Sequence, residues 1–298
     1  MQRAFLGALV LTAIPLFSIA SAHHHSWNSG MSLTVNELSD DGPTNCDALR
    51  VTFDDEPAVR SEEELPVAGL ASLNVTAATN GGIHVIGTSD SRFSVTACKA
   101  AAYPEVLANV RASVHGDRVT AGGPDEDKWV VYFIVRAPRN AQLDLSSHNG
   151  GIGLHEVHGS VTARAENGPI SIRRSSGTID AQTTNGPISI EGDSGTIKAN
   201  ATNGPISVRF TSNQWNGSLD AHTENGPLSV KIASAFHSHV VIQSAGRSPF
   251  RCRAAACQGA HRTWKDDDEE RSIDIGDGAA NVHISTVNGP VSVKDEED

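Results

Sequence analysis

One short motif recurs along this chain at a nearly fixed spacing. Asn-Gly-Pro, followed by an aliphatic residue, Ser and a second aliphatic residue, begins at Asn167, Asn185, Asn203, Asn225 and Asn288. Two looser copies, Asn-Gly-Gly-Ile, begin at Asn80 and Asn149. From Asn149 to Asn203 the spacing is 18 residues, and the next copy follows after 22. A constant period of this size indicates repeated structural units that pack on one another, because one short unit cannot bury its apolar face alone.

Within a unit, apolar and polar residues alternate in two short segments. In the unit that starts at Asn185, Ile188 and Ile190 alternate with Ser189, and residues 196–201 show the same alternation after a turn. This alternation predicts two half-buried strands per unit. We expect Asn-Gly at the corner because both residues tolerate a positive φ, and Pro at the start of the strand because it has no N–H to donate.

These units predict an all-β fold, a narrow parallel β-solenoid with coils of about 18 residues. Backbone hydrogen bonds would then join neighbouring coils, which lie about 4.8 Å apart. The alternative is a β-sandwich whose hairpins use Asn-Gly turns. Hairpin geometry does not require a constant 18-residue register, so the solenoid is favoured.

The pattern divides the chain into seven segments. They are a signal peptide (1–22), a flexible mature N-terminus (23–45), an irregular N-terminal β portion with wider coils (46–148), the regular repeat stack (149–232), a Cys-closed loop with an acidic insertion (233–278), a last coil (279–293) and an acidic tail (294–298). One short helix is expected near Pro104, since proline suits the first turn of a helix. Residues 129–135 are apolar on both faces of a strand and should be covered on both.

The first residues have the pattern of an export signal. Arg3 is followed by an apolar run over residues 5–19 and a small-residue cleavage site at 20–22. The run is shorter than the roughly 20 residues of a membrane-spanning helix. We therefore expect an exported protein, periplasmic or secreted, with no membrane insertion after cleavage. The net charge of −12 argues against nucleic acid as a partner.

The four cysteines favour two disulfides, because an exported chain folds in an oxidising compartment. Cys252 and Cys257 are close enough in sequence to close one short loop. Cys46 would then pair with Cys98.

The recurring Asn-Gly-(Pro/Gly)-Ile-x-Ile strand, followed by Gly-x-(Ile/Val)-x-Ala and another Asn-Gly, resembles the putative-adhesin β-solenoid family of bacterial exported proteins, a domain of unknown function. The similarity covers roughly residues 72–293 and is clearest over 140–232. It implies a parallel β-solenoid and a surface-binding role, and it carries over no catalytic residues. The cysteine-bearing loop near 252–257 and the long N-terminal portion depart from the family pattern.

We therefore expect a non-enzymatic, adhesin-like or envelope-associated protein that binds a cell-envelope protein or a glycan through its outer surface. The alternative is a carbohydrate-active enzyme, a polysaccharide lyase or hydrolase, on the same scaffold. Such an enzyme needs convergent carboxylates. When the units are aligned, the outward column reads Thr162, Asp180, Lys198 and Asp220 and alternates in charge. We therefore predict no catalytic residues.

The candidate ligand-binding residues are those that differ from unit to unit. They are Arg173 and Arg174 on one turn, and Phe210, Gln214 and Trp215 in the four-residue expansion between Asn203 and Asn225. An exposed Trp beside Arg is an anchor that interfaces favour. The alternative is that Trp215 folds back over the edge of its coil.

A metal site is expected only at the mature N-terminus. Cleavage after Ala22 would leave His23, His24 and His25 as the first residues. A free α-amine with histidine in third position supplies amine, amide and imidazole nitrogens in a square plane. Cu²⁺ and Ni²⁺ prefer such nitrogen sets. No other cofactor is expected.

Overall fold

The described part of the chain is built mainly of β-strands. The computed structural model describes residues 24–26, 31–35, 42–67, 69–125, 128–245, 248–265, 270–277, 279 and 281–296. The expected signal peptide, residues 1–22, lies outside the described residues.

The N-terminal portion contains strands of uneven length and a short helix near the expected proline. They are β1 (His24–Ser26), β2 (Met31–Val35), β3 (Leu49–Phe53), β4 (Glu56–Pro57), β5 (Val59–Leu65), β6 (Ser72–Thr76), β7 (Ile83–Thr88), β8 (Ser94–Ala101), α1 (Pro104–Leu107), β9 (Arg111–His115), β10 (Arg118–Gly122) and β11 (Trp129–Pro138). A 3₁₀ turn, Cys46–Ala48, precedes β3.

The repeats that follow contribute pairs of strands. They are β12 (Gln142–Ser147), β13 (Ile152–His155), β14 (Ser160–Ala165), β15 (Ile170–Arg173), β16 (Thr178–Asn185), β17 (Ile188–Gly192), β18 (Ser194–Asn203), β19 (Ile206–Phe210), β20 (Asn216–Asn225) and β21 (Leu228–Ile232). The C-terminal strands are β22 (Val240–Ser244), β23 (Phe250–Cys252), β24 (His261–Lys265), β25 (Glu270–Ile275), β26 (Val282–Asn288) and β27 (Val291–Asp295), with a 3₁₀ turn at Ala255–Cys257.

The strands form two large sheets and one small sheet. The first, sheet A, has twelve strands in the order β24-β25-β22-β26-β20-β18-β16-β14-β12-β6-β10-β9. The second, sheet B, has eleven strands in the order β23-β27-β21-β19-β17-β15-β13-β7-β11-β8-β5. Four N-terminal strands, β1-β2-β3-β4, make the small sheet N. The predicted all-β class is confirmed, and the repeats build large parallel sheets.

Across the repeats the chain alternates between sheet A and sheet B, one strand in each. Neighbouring strands are parallel, and residues 18 apart face each other, as Ile179 and Ile197 do. The 22-residue step keeps the same alignment, with Ile197 opposite Leu219, because the additional residues lie between β19 and β20. The spacing of the sequence motif is therefore the pairing register of the sheets.

The inward side chains of both sheets share one hydrophobic core. Ile188 and Ile190 from sheet B, and Ile197 and Ala199 from sheet A, belong to it and are at most 2% exposed. The outward residue between the two isoleucines, Ser189, is only partly buried. The alternation in the sequence thus predicts correctly which side chains are buried.

The corner glycines are required by close packing rather than by an unusual backbone angle. Of the glycines that follow a corner asparagine, only Gly81 has a positive φ. A Cβ on Gly204 would lie 2.0 Å from the carbonyl oxygen of Gly186, and a Cβ on Gly226 would lie 2.0 Å from that of Gly204. The expectation of a positive φ is wrong for this corner, where backbones of successive units pass too closely for any side chain.

The corner asparagines form a continuous ladder of side-chain hydrogen bonds. Each Nδ2 donates to the Oδ1 of the asparagine in the neighbouring unit, over 2.9 to 3.2 Å. The ladder joins Asn80, Asn149, Asn167, Asn185, Asn203, Asn225 and Asn288. It therefore explains why the motif keeps asparagine at a solvent-facing corner.

At both ends of the sheets, the spatial order of strands departs from the chain order. β26 and β27, from the expected last coil, insert between β20–β21 and β22–β23. Within residues 233–278, expected to hold a Cys-closed loop and an acidic insertion, the described residues supply β22 to β25 at the end of the sheets, and residues 266–269 of the insertion lie outside the described residues. At the other end, β6 and β7 lie between β10–β11 and β12–β13.

Sheet N covers the outer face of sheet B near its N-terminal end. In β11, Val131 and Phe133 face the main core, whereas Val130 and Ile134 belong to a second core with Met31 and other residues of sheet N. The strand is therefore covered on both faces, as its sequence predicts. Residues 31–35 form β2 rather than part of a flexible segment.

Both expected disulfides are confirmed. Cys46 bonds Cys98, with a Cα–Cα distance of 5.4 Å, and Cys252 bonds Cys257, with a Cα–Cα distance of 6.0 Å. The first bond joins the turn before β3 in sheet N to β8 in sheet B. It therefore fastens sheet N to the large sheet that it covers.

Candidate binding surface

The outer face of sheet A carries a polar groove with a volume of about 450 Å³. Its central column consists of Ser146, Arg164, Gln182 and Asn200, which face one another across β12, β14, β16 and β18. Since neighbouring strands are about 4.8 Å apart, hydrogen-bonding side chains repeat at that interval along the groove. The groove also includes His148 and Glu166, which follow β12 and β14, and Thr202 near the end of β18.

Hydrogen bonds and ion pairs hold several of these groups in place. His148 Nδ1 pairs with Glu166 Oε2. Arg164 Nη1 lies 3.5 Å from Asp144 Oδ1, and Gln182 Nε2 donates to Asp180 Oδ1 over 3.0 Å. The groove therefore presents planar amide, guanidinium, imidazole and carboxylate groups beside hydroxyls. This mixture of donors and acceptors can hydrogen-bond the hydroxyl groups of a sugar.

The charged column beside the groove has the alternation that the sequence predicts. Asp180 stands opposite Lys198, and Lys198 stands opposite Asp220 on the next strand. Lys198 therefore separates the two carboxylates. This arrangement relieves repulsion along the sheet and differs from the pair of carboxylates that flanks the scissile bond in glycosidases.

Arg173 and Arg174 lie at the end of β15 in sheet B, away from the groove in sheet A. Arg174 has a φ of 46° and is exposed, and its Nη2 lies 3.0 Å from Nε2 of the buried His155. In the neighbouring unit, Arg139 donates to Glu156 over 2.7 Å, and this hydrogen bond lowers the pKa of Glu156. The two arginines therefore belong to a charged corner between units.

Phe210 and Trp215 are buried, at 0% and 3% exposure. Their rings make an edge contact at 5.8 Å, Phe236 packs on Phe210 at 4.8 Å, and Trp215 Nε1 donates to Gly195 O over 3.1 Å. Of the two alternatives for Trp215, the one in which its ring folds back is correct, and the exposed aromatic anchor is wrong. Phe210 takes the last inward position of β19, and the expansion between β19 and β20 folds Trp215 against it in the core, where burial stabilises large apolar groups most. Gln214 stays exposed, and its part in binding remains a prediction.

The groove itself is the feature that sequence reasoning missed. Aligning the units places Arg164, Gln182 and Asn200 in one outward column, which the strand register confirms. The alignment gives the column but not the concave surface around it. The concave surface also depends on where neighbouring side chains such as His148, Glu166 and Thr202 lie relative to the column.

The expected copper or nickel site falls mostly outside the described residues. His23 is outside them, and His24 and His25 are described only as backbone in β1, opposite Thr34 and Leu33 of β2. Binding through the amide nitrogens of His24 and His25 would compete with this strand pairing. The site stays a prediction.

Two negative findings apply to the described ranges alone. There, no three His, Cys, Asp or Glu side chains are arranged so that they could hold a metal ion. In the same ranges, no helix has the length and apolar character needed to cross a membrane.

Comparisons with known proteins give distant similarity. No protein-family model and no curated protein matches the chain. Among solved structures, it is similar to a putative cell adhesion protein from Clostridium sporogenes (11% identity, 80% of this chain and 100% of that chain, TM-score 0.29). A putative adhesin from Bacteroides fragilis (11%, 81% and 98%, 0.30) and another from Parabacteroides distasonis (10%, 80% and 97%, 0.35) are comparable. These scores are too low to assign a family, so the function has to be inferred from this chain's own geometry.

Proposed function

We propose that the chain is a narrow β-solenoid that acts outside the cytoplasm as a non-enzymatic, adhesin-like binding protein, using the outer surface of its sheets. The groove on sheet A carries the proposal. Its polar side chains repeat from strand to strand, so a ligand that repeats its own polar groups along its length can make the same contact several times. A linear glycan of the cell envelope has that chemistry.

The cysteines agree with this location, and the acidic charge argues against nucleic acid as the ligand. Both disulfides, Cys46–Cys98 and Cys252–Cys257, are typical of proteins that fold in an oxidising compartment such as the periplasm or the extracellular space. The net charge of −12 disfavours non-specific attraction to nucleic acid.

A glycan-array screen of the mature chain, residues 23–298, tests the proposal. The groove variant Arg164→Ala/Gln182→Ala/Asn200→Ala removes the central side chains that can hydrogen-bond a ligand. We expect it to lose about tenfold or more in affinity for the glycans that the wild type binds, since a hydrogen bond contributes about 0.5–1.5 kcal/mol.

The matched control is Thr178→Ala/Thr196→Ala/Ser218→Ala. These exposed residues form another outward column of sheet A and do not line the groove. The control should bind as the wild type does. Equal losses in the two variants, or no glycan bound by the wild type, would contradict the proposal.

Analysis of the products distinguishes the proposed binding protein from the alternative, a carbohydrate-active enzyme. Glycans that bind should be recovered intact after prolonged incubation with the mature chain. New reducing ends or unsaturated sugar products would establish a hydrolase or lyase instead.

A further inference from the structure

The outer face of sheet B carries a column of mainly basic residues. On neighbouring strands from β13 to β27, the residues in register are the buried His155 and then Arg173, Glu191, Arg209, Lys231 and Lys294, which are exposed or partly exposed. Four of these six side chains carry a permanent positive charge. With strands about 4.8 Å apart, the column from Arg173 to Lys294 spans roughly 19 Å. We call these six residues the basic column.

Among the residues that the structure describes, Glu156, Glu191 and Glu296 lie against the basic column, and Glu156 Oε1 is 3.7 Å from His155 Nε2. Arg209 Nη1 lies 3.6 Å from Glu191 Oε2, and Arg209 Nη2 lies 3.2 Å from Glu296 Oε1. The nearby Asp295 accepts a hydrogen bond from the backbone N–H of Ala255 over 3.0 Å. The positive charges of Lys231 and Lys294 lie on adjacent strands.

Two further arginines and a column of serines lie near the basic column. Arg251, exposed on the edge strand β23, stands opposite Ser292, and the exposed Arg253 follows that strand. Beside the basic column runs a column of hydroxyls, whose members are Ser171, Ser189, Ser207, Ser229 and Ser292. Hydroxyl donors next to cations are well suited to bind carboxylate groups.

On sheet A, an outward column of residues is mainly acidic, in contrast to the basic column of sheet B. That column reads Asp144, Thr162, Asp180, Lys198, Asp220 and His283, with three acids and one permanent base. In a chain of net charge −12, a mainly basic face is a local reversal. Charge complementarity at such a face favours an anionic partner.

We propose that the basic column and the serines beside it bind a linear anionic polysaccharide whose carboxylate groups repeat along the chain. This inference rests on the proposed function, because it assumes that the outer surface binds glycans, but it uses sheet B rather than the groove of sheet A. The repeating carboxylates lie along the strand-to-strand direction and meet a cation or a hydroxyl at each unit.

The test compares polygalacturonate with its methyl ester, which has the same sugar backbone without the charges. Wild-type residues 23–298 should bind polygalacturonate, with an affinity that falls as salt rises because salt screens exposed charges, and should bind the ester at least tenfold more weakly. In Lys231→Gln/Lys294→Gln, affinity for polygalacturonate at low salt should fall by about tenfold or more, because two of the four permanent positive charges of the basic column are removed.

The charge-matched control is Lys198→Gln/Arg118→Gln, which removes two exposed cations from sheet A. It should bind polygalacturonate within about twofold of the wild type, a difference of less than 0.5 kcal/mol. Both variants should keep the melting temperature of the wild type, because the substituted side chains point outward.

Three results would overturn the inference. They are equal losses in the two charge-matched variants, equal binding of the methyl ester, and binding of anionic lipid vesicles or duplex DNA as tight as that of polygalacturonate. Binding of neutral glycans through the groove is measured separately with the groove variant. A failure of the basic column therefore leaves that result intact, and the two proposals fail independently.

Discussion

At the scale of single residues, the corner glycine of each unit is fixed by the backbone of its neighbour. The Cβ positions of Gly186, Gly204 and Gly226 would all lie within 2.2 Å of a glycine carbonyl oxygen in the preceding unit. That distance leaves no room for a methyl group. Asparagine at the same corner is held by its side-chain ladder, so the two residues are required for different reasons.

Gly204→Ala should destabilise the protein strongly. Its new methyl would lie 2.0 Å from Gly186 O, so the two units would have to separate locally. Overpacking of this kind is among the few causes of a loss of several kcal/mol in the free energy of unfolding. Gly192→Ala is the control, since its Cβ would have its nearest such contact at 3.9 Å, with Ser175 O. Thermal unfolding of both variants measures the difference. Similar melting temperatures would contradict the close-packing account of the corner.

Trp215→Ala should lower stability without affecting ligand binding. The ring is 3% exposed, contacts Phe210 and donates a hydrogen bond to Gly195 O. Truncating a buried Trp costs about 3–5 kcal/mol. Denaturant unfolding together with glycan binding below the transition checks this. A specific loss of binding at unchanged stability would restore Trp215 as a surface anchor.

The sequence predicts these residues unevenly. Burial of Ile188 and Ile190 follows from alternation, because a side chain's face in a strand is set by its position. Phe210 ends β19 two residues after the buried Val208, so alternation itself places it inside. Trp215 lies beyond the end of β19, where the period breaks and alternation no longer tells the inside from the outside. The reason for glycine at the corner, close packing rather than a positive φ, depends on the distance between neighbouring units. The sequence of one unit does not give that distance.

At the scale of secondary structure elements, each strand of the repeats has one buried and one outward face. In β17, the burial alternates from Ile188 to Gly192, with Ser189 and Glu191 partly exposed. A substitution therefore has very different consequences at adjacent positions of the same strand.

Ile190→Asp should unfold the repeats, whereas Ser189→Asp should cost little. The first places an unpaired charge in an aliphatic core where Ile190 is 2% exposed. The second adds a charge on the outer face, where substitutions usually change stability by less than about 0.5 kcal/mol. Circular dichroism melts of both variants provide the measurement. An equal loss of melting temperature would refute the assignment of the two faces.

Removal of the Cys46–Cys98 bond should destabilise the chain more than removal of Cys252–Cys257. The bonds join residues 52 and 5 positions apart, and the chain-entropy model gives about 4 kcal/mol for the longer loop and about 2 kcal/mol for the shorter one. Double Cys→Ser variants of each pair, compared by denaturant unfolding, test the order. A larger effect of the short loop would contradict it.

The elements with the repeated motif were predictable together with their register, whereas outside them the sequence predicts single elements, such as the helix near Pro104 and the strand over residues 129–135, without their pairing. Residues 149–232 have one motif per unit, and the motif spacing gives the strand register. Residues 233–278 have no such motif, although they form β22 to β25. β25 pairs antiparallel with both β22 and β24. Antiparallel pairing of this kind does not require a repeated motif, so the sequence shows no period there.

At the scale of the whole molecule, the two large sheets share a core and differ in their outer faces. Sheet A presents the polar groove and an acidic column, and sheet B presents the basic column and its serines. The order of strands in both sheets departs from the chain order near one end, where β26 and β27 insert between β20–β21 and β22–β23. The sequence does not give this insertion, because the same Asn-Gly-Pro motif would pair equally well at the end of the sheets.

The central claim, that ligands bind along the direction in which the units repeat, is tested most directly by the length dependence of glycan binding. Oligosaccharides of increasing length from the glycan found in the array screen should bind the mature chain progressively more tightly. Affinity should then level off once the ligand spans the four strands of the groove, a distance of roughly 15 Å at the strand spacing. In the Arg164→Ala/Gln182→Ala/Asn200→Ala variant, the increase with length should disappear. If a single sugar bound as tightly as the longest oligosaccharide, and the variant bound both unchanged, the account of a repeating binding surface would be wrong.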